Sequence, residues 1–155
     1  VTEGEQNRLI AWHRELTAAH RRLRRALALA RESLHTGEGA SARADLLLYC
    51  HGFCAALGGH HAREDAGLFP ELAARHPELR PTLAKLTQDH ELIAALLGEL
   101  ERALASGAPP GEVSRHLDGL SAIMESHFRY EERRLLGPLA RLALDADPRA
   151  LLGPL

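Results

Sequence analysis

The sequence predicts an all-α protein folded as an up-down-up-down four-helix bundle. Four stretches of roughly 20–30 residues carry apolar side chains at steps of three and four, the mark of a helix with one buried face. Short breaker clusters separate them, which makes neighbours antiparallel. No segment alternates like a strand, and the commonest residues, Ala, Leu, Arg and Glu, are good helix formers. A chain of 155 residues fits one domain, here taken as 1–155 with a core from about 9 to 140.

The first helix follows polar residues 1–8, which are expected to fray. It places Leu9, Trp12, Leu16, His20, Leu23, Leu27, Ala30 and Leu34 on one face. Arg14, Arg21, Arg22, Arg24, Arg25 and Glu32 fall largely on the other side, a solvated face. His35-Thr36-Gly37-Glu38-Gly39 supplies the stop. Ser41 is placed to cap the second helix, whose stripe reads Leu46, Tyr49, Phe53, Ala56, His60, Glu64 and Leu68. Gly58-Gly59 interrupts it and predicts a bend or the close approach of another backbone, since each glycine costs about 1 kcal/mol against alanine. Pro70 opens an irregular stretch through His76-Pro77 to Pro81.

The third helix has the cleanest stripe: Leu79, Leu83, Leu86, His90, Ile93, Leu97, Leu100 and Leu104, ended by Ser106-Gly107-Ala108-Pro109-Pro110-Gly111. The fourth carries Val113, Leu117, Leu120, Met124, His127, Glu131 and Leu135, with Gly137-Pro138 as a kink or end and room for a further turn over Leu139–Leu144. The tail after Asp147-Pro148 carries no functional signal, though its end from Ala150 to Leu155 could pack on the bundle or on a second subunit.

Composition excludes several classes. A net charge of −2 gives no footprint for nucleic acid or a membrane surface, and no apolar run is long enough to span a bilayer. The first residues are polar and charged, with no apolar leader segment, so the cytoplasm is the expected location. Cys50 and Cys54, four apart on a helix, read as small core thiols. No phosphate loop, nucleophile elbow or Cys-x-x-Cys is present.

The informative residues are histidines, ten in all. His20, His60, Glu64, His90, His127 and Glu131 occupy stripe positions where the period demands apolar side chains. Two of these sets are His-x-x-x-Glu, and positions four apart on a helix lie about 5–6 Å from each other on one face. An imidazole and a carboxylate can then reach one metal ion from a single helix. Two buried carboxylates alone would repel and force one to keep its proton. Two divalent ions remove that conflict and leave room for an oxide or hydroxide bridge.

The order repeats. A single histidine precedes each motif, by 40 residues from His20 to His60 and by 37 from His90 to His127. Four imidazoles and two carboxylates suit two first-row ions such as iron, manganese or zinc. His13 shares the face of His20 and is its rival. His61 and Asp65 form a neighbouring four-apart pair, either orienting ligands or, the favoured reading, exposed. His35, His51, His76 and His116 read as structural or surface residues.

This pattern resembles the hemerythrin family, specifically the HHE cation-binding domains of bacteria. The resemblance rests on His20, His60-x-x-x-Glu64 with Leu68-Phe69-Pro70, His90, and His127-x-x-x-Glu131 with Glu132. It implies a four-helix bundle with a non-haem di-iron centre, Glu64 and Glu131 bridging the irons and the four histidines as terminal ligands. The oxygen-carrying hemerythrins of invertebrates have a His-x-x-x-His on the third helix and an Asp on the fourth. Here Ala94 follows His90 at the fourth position and the acid is Glu131, with Glu132 its minor rival. One fewer histidine leaves a coordination position for water, oxygen, peroxide or nitric oxide. Ferritin-like bundles use Glu-x-x-His, and the only such pair here, Glu32 to His35, lies at a helix end.

The expected function is therefore binding of, or reaction with, oxygen, peroxide or nitric oxide at a di-iron centre. The alternatives are a di-iron redox enzyme acting on peroxide, nitric oxide or an organic substrate, a sensor acting through a protein partner, and a zinc-stabilised interaction module.

Overall fold

The structure, a computed structural model, describes residues 3–34 and 40–140, with side chains for residues 14–34 and 44–138. Its elements are helices α1 (Glu3–Ser33), α2 (Ala40–Arg63), α3 (Phe69–Arg75), α4 (Arg80–Ala105) and α5 (Pro110–Ala140). A π-helical turn, Glu64–Leu68, joins α2 to α3, and a 3₁₀ turn, Pro77–Leu79, joins α3 to α4. No strand occurs among the described residues. Helix α1 packs on α2 and α5, and α4 packs on α5 and α2, closing a four-sided bundle from the four long helices.

The stripes explain the packing. Leu16, His20, Leu23, Leu27 and Ala30 of α1 are buried, as are Leu83 to Leu104 at their stripe positions in α4 and Val113 to Leu135 in α5. Helix α2 departs from the expected stripe: Tyr49 is 40% exposed, while Cys50, Phe53, Cys54, Leu57, His60 and His61 are buried. The unbroken apolar run Leu46-Leu47-Leu48-Tyr49-Cys50 hides the period, and the bundle selects the face that continues into Leu57 and His61.

Several boundaries differ from the sequence reading. Helix α1 begins at Glu3, and Ser41 lies inside α2 rather than before it. Helix α2 runs straight through Gly58-Gly59; both are exposed, and a Cβ added at either meets nothing within 4 Å, so no backbone approaches there. The disturbance comes later, at the π turn. Pro70 has no N–H for the carbonyl four residues back and its ring crowds that carbonyl, so a widened turn before it is the local solution. The turn closes with the Phe69 N–H donating to the Glu64 carbonyl. Residues after Pro70 then form α3 and the 3₁₀ turn rather than an irregular stretch. Pro138 is accommodated inside the last turns of α5.

The end of α4 follows the sequence closely. Gly107 takes a φ of 72°, which glycine adopts without strain. Its N–H donates to the Leu104 carbonyl at 3.2 Å, and the Ala108 N–H donates to Ala103 at 3.0 Å. This is a Schellman motif, and Ala108 packs into the core beyond it.

Two apolar clusters fill the bundle. The larger includes Leu23, Phe53, Leu57, Ile93, Leu97, Leu120 and Met124. The smaller holds Leu16, Leu68, Phe69, Leu72, Leu83, Leu86 and Leu135. On every long helix the ionisable positions lie between residues of the two. His35 and the chain from 141 onward, including the Leu-rich end, lie outside the described residues. No helix among the described residues is long and apolar enough to cross a membrane.

Candidate metal centre

Seven ionisable side chains meet in the layer between the clusters: His20 from α1, His60 and His61 from α2, Glu64 at the first residue of the π turn, His90 from α4, and His127 and Glu131 from α5. None is more than 5% exposed. The six residues singled out by the stripes are thus brought together. Donor atoms of His20, His60, Glu64 and Glu131 lie within 4.8 Å of one another, and so do those of His61, His90 and His127.

The carboxylates join the two groups. Glu64 Oε1 lies 3.0 Å from His60 Nε2 and 3.7 Å from His90 Nε2. Glu131 Oε2 lies 3.3 Å from His127 Nε2 and 3.6 Å from His20 Nε2. Each acid therefore faces the histidine one turn before it on its own chain segment and a single histidine from another helix. His90 and His127 approach at 3.1 Å, Nε2 to Nε2.

The outer nitrogens are held by other acids. His20 Nδ1 donates to Glu132 at 2.9 Å, His90 Nδ1 to Asp65 at 2.8 Å, and His127 Nδ1 to Asp89 at 3.3 Å. Anchoring one ring nitrogen on a carboxylate fixes the tautomer and turns the other nitrogen inward, as metal-ligating histidines are commonly arranged. Arg24 neutralises the outer face: it donates to Glu125 at 2.9 and 3.1 Å and to Glu132 at 3.4 Å.

Without a cation the two buried acids of this layer cannot both ionise freely. Burial pushes the Glu64 carboxyl well above the usual carboxylate range, and the nearby Glu131 adds to it. Burial also opposes ionisation of Glu131, but the adjacent Glu64 and the His20 imidazole outweigh it and hold Glu131 well below that range. Burial likewise works against charge on His20, yet Glu131 and Glu132 raise its pKa. His61 and His90 are pushed down, first by burial and then by neighbouring imidazoles. Both oxygens of Glu64, both of Glu131, and Nε2 of His20 are enclosed without a hydrogen bond among the described residues.

These residues fit metal ions. Donors about 2.1 Å from one ion and at right angles to each other are about 3 Å apart, close to the shortest separations here. Every donor is an imidazole or a carboxylate, a set that suits iron, manganese or zinc. The thiols take no part: Cys50 and Cys54 lie in the larger apolar cluster, and burial pushes them up to about 11 and about 12.

Two expectations change. His61 is buried against His90, not exposed. Asp65 bonds His90 rather than pairing with His61. Glu132 is an outer partner of His20, while Glu131 takes the inner place. The spacing Cys50, Cys54, Leu57, His61, at steps of four, three and four, was the sequence signal for His61. The side chain of His13, the rival of His20, lies outside the described residues. His51 is exposed, His116 is half-buried, and His76 bonds Glu78 in the turn before α4.

No match was found among the curated proteins, and none among the solved structures. The family model described as the hemerythrin HHE cation-binding domain matches residues 13–139, which contain every helix that builds the centre or the part of it that does so. The chain belongs to the hemerythrin HHE cation-binding family.

Proposed function

We propose that the chain is a single-domain non-haem di-iron protein of the cytoplasm that binds, or reacts with, oxygen or a related small ligand such as peroxide or nitric oxide. In this reading His20 and His60 would hold one iron, His90 and His127 would hold the other, and Glu64 and Glu131 would be shared between them. The observation that carries it is the sharing of each carboxylate between one imidazole of each pair. A site for one ion does not require two acids each placed between two histidines.

Bound iron supplies redox chemistry and coordination positions for a small ligand. The chain orients the imidazoles through Asp65, Asp89 and Glu132, and the flanking apolar clusters keep bulk water out. A cavity that reaches His90 measures about 230 Å³, below the roughly 300–1,000 Å³ of sites for organic ligands, which favours a small ligand. A wider hollow of about 610 Å³ lies along α5 and meets the centre's surroundings at Glu132.

Metal content per chain, measured on protein from iron-rich cultures, tests the reading. Two irons are expected, together with a new visible absorption when the reduced protein meets air. One zinc, or no metal, would overturn it; two manganese ions would keep the bridged pair and change the metal. Even with both acids shared, these six residues would leave positions open on two six-coordinate ions, so turnover of peroxide or nitric oxide is the second reading. Sustained consumption of either reagent distinguishes turnover from binding.

A further inference from the structure

The residue after each motif histidine lies on the single histidine of the other half. Phe128 stacks on His20, with ring centroids 3.9 Å apart and planes 6° from parallel. His61 stacks on His90 at 3.8 Å and 10°. A phenyl ring meets the packing need at one place, so shape does not demand an imidazole at the other. Ligation beside His90 does not account for it either. An imidazole lone pair lies in its ring plane, and two parallel rings one above the other cannot both aim at one ion.

The His61 ring nevertheless lies at the edge of the centre, against His90 and His127. A ring nitrogen of His61 lies within 4.8 Å of those of His90 and His127. Its Nε2 is enclosed with no hydrogen-bond partner among the described residues. Buried polar atoms are nearly always partnered, so a group from outside the chain is the natural complement. The two halves differ in how such a group could arrive. Four residues after His20 stands Arg24, its guanidinium 5.3 Å from the Phe128 ring centroid and tied to Glu125 and Glu132. Four residues after His90 stands Ala94, which with Gly58, Ala62 and Leu97 lines the 230 Å³ cavity that reaches His61 and His90.

We propose that His61 Nε2 donates a hydrogen bond to the small ligand of the centre, dioxygen or a small anion with an acceptor atom, admitted through the cavity between Gly58 and Ala94. This assignment deepens the di-iron reading and rests on it. It makes His61 a specificity-determining residue that favours ligands able to accept a hydrogen bond.

Azide, a small anion with a terminal acceptor, is the probe, titrated into iron-loaded wild type, H61F and H61Q. H61F copies the Phe128 arrangement and so keeps the packing. The expected result is unchanged iron content in H61F, metal-free thermal stability equal to or above wild type, azide affinity at least tenfold weaker, and a shifted azide-dependent absorption band. H61Q, which restores a donor, recovers most of the affinity. Equal azide affinity in H61F would overturn the assignment. Loss of one iron in H61F would make His61 a ligand instead, and a less stable metal-free H61F would make it structural; either overturns the proposal. Wild type without an iron pair would instead sink the di-iron reading itself, so the two failures are distinguishable.

Discussion

The two His-x-x-x-Glu copies are alike where they face the centre and unlike one residue further out. In each, the glutamate touches its own histidine and the single histidine of the other half, and the next acid, Asp65 or Glu132, bonds the outer nitrogen of that same single histidine. Each half of the chain thus holds the other half's single histidine in place. The position after the motif histidine breaks the symmetry, with buried His61 on one side and Phe128 on the other. So does the cover above it: Ala94 beside a cavity, Arg24 beneath two glutamates. The difference teaches that the inner acid–histidine contacts repeat in both halves, while the surrounding positions diverge.

The largest effects should strike both copies equally. Glu64→Ala and Glu131→Ala are each expected to weaken metal binding by at least ~100-fold, above the ~10–100-fold typical of losing an outer partner, with fewer than two ions retained per chain on elemental analysis. Retention of both ions by either variant would break the bridged symmetry. Next come Asp65→Asn and Glu132→Gln, for which competition with a chelator should show losses of ~10–100-fold in affinity, similar in the two copies.

Phe128→His would make the second copy imitate the first. It places a polar ring under Arg24 in a packed region, and urea unfolding of the metal-free protein should show a loss of about 1–3 kcal/mol, the cost of an unsatisfied buried polar group. A neutral result would mean that the His61 environment is less special than the cavity suggests.

The smallest effect concerns the cover itself. Arg24 and Glu125 are each about one-third exposed, so Arg24→Ala should cost only ~0.2–1 kcal/mol. Its sign with pH follows from Arg24 holding Glu125 below the usual carboxylate range. The stabilisation is complete above the ordinary carboxylate pKa and is lost as pH falls through the lower folded value. Thermal melts of wild type and variant should therefore differ at neutral pH and converge in acid.

Much was legible along the chain because helices write their partners at fixed intervals. The stripes of α1, α4 and α5 identified His20, His90, His127 and Glu131 as inward-facing, and Gly107 marked the end of α4. Helix α2 was harder. Its apolar residues run consecutively from Leu46 to Cys50, so the period alone could not separate the face of Tyr49 from that of Cys50 and Leu57. His61 was misplaced for the same reason. Gly58-Gly59 looked like a break, but a helix packed on two neighbours absorbs two exposed glycines, and the break moved to the turn before Pro70.

By itself the sequence determined the helical bundle, its order and six of the seven inward ionisable side chains, since each follows from local periodicity and from the cost of burying charge without a partner. Only the tertiary structure decided which acid bonds which histidine across the bundle, that His61 and Phe128 occupy matching places, and that one of those places lies beside a cavity while the other is covered. Those outcomes depend on distances between helices far apart in the chain, and no interval along one helix encodes them.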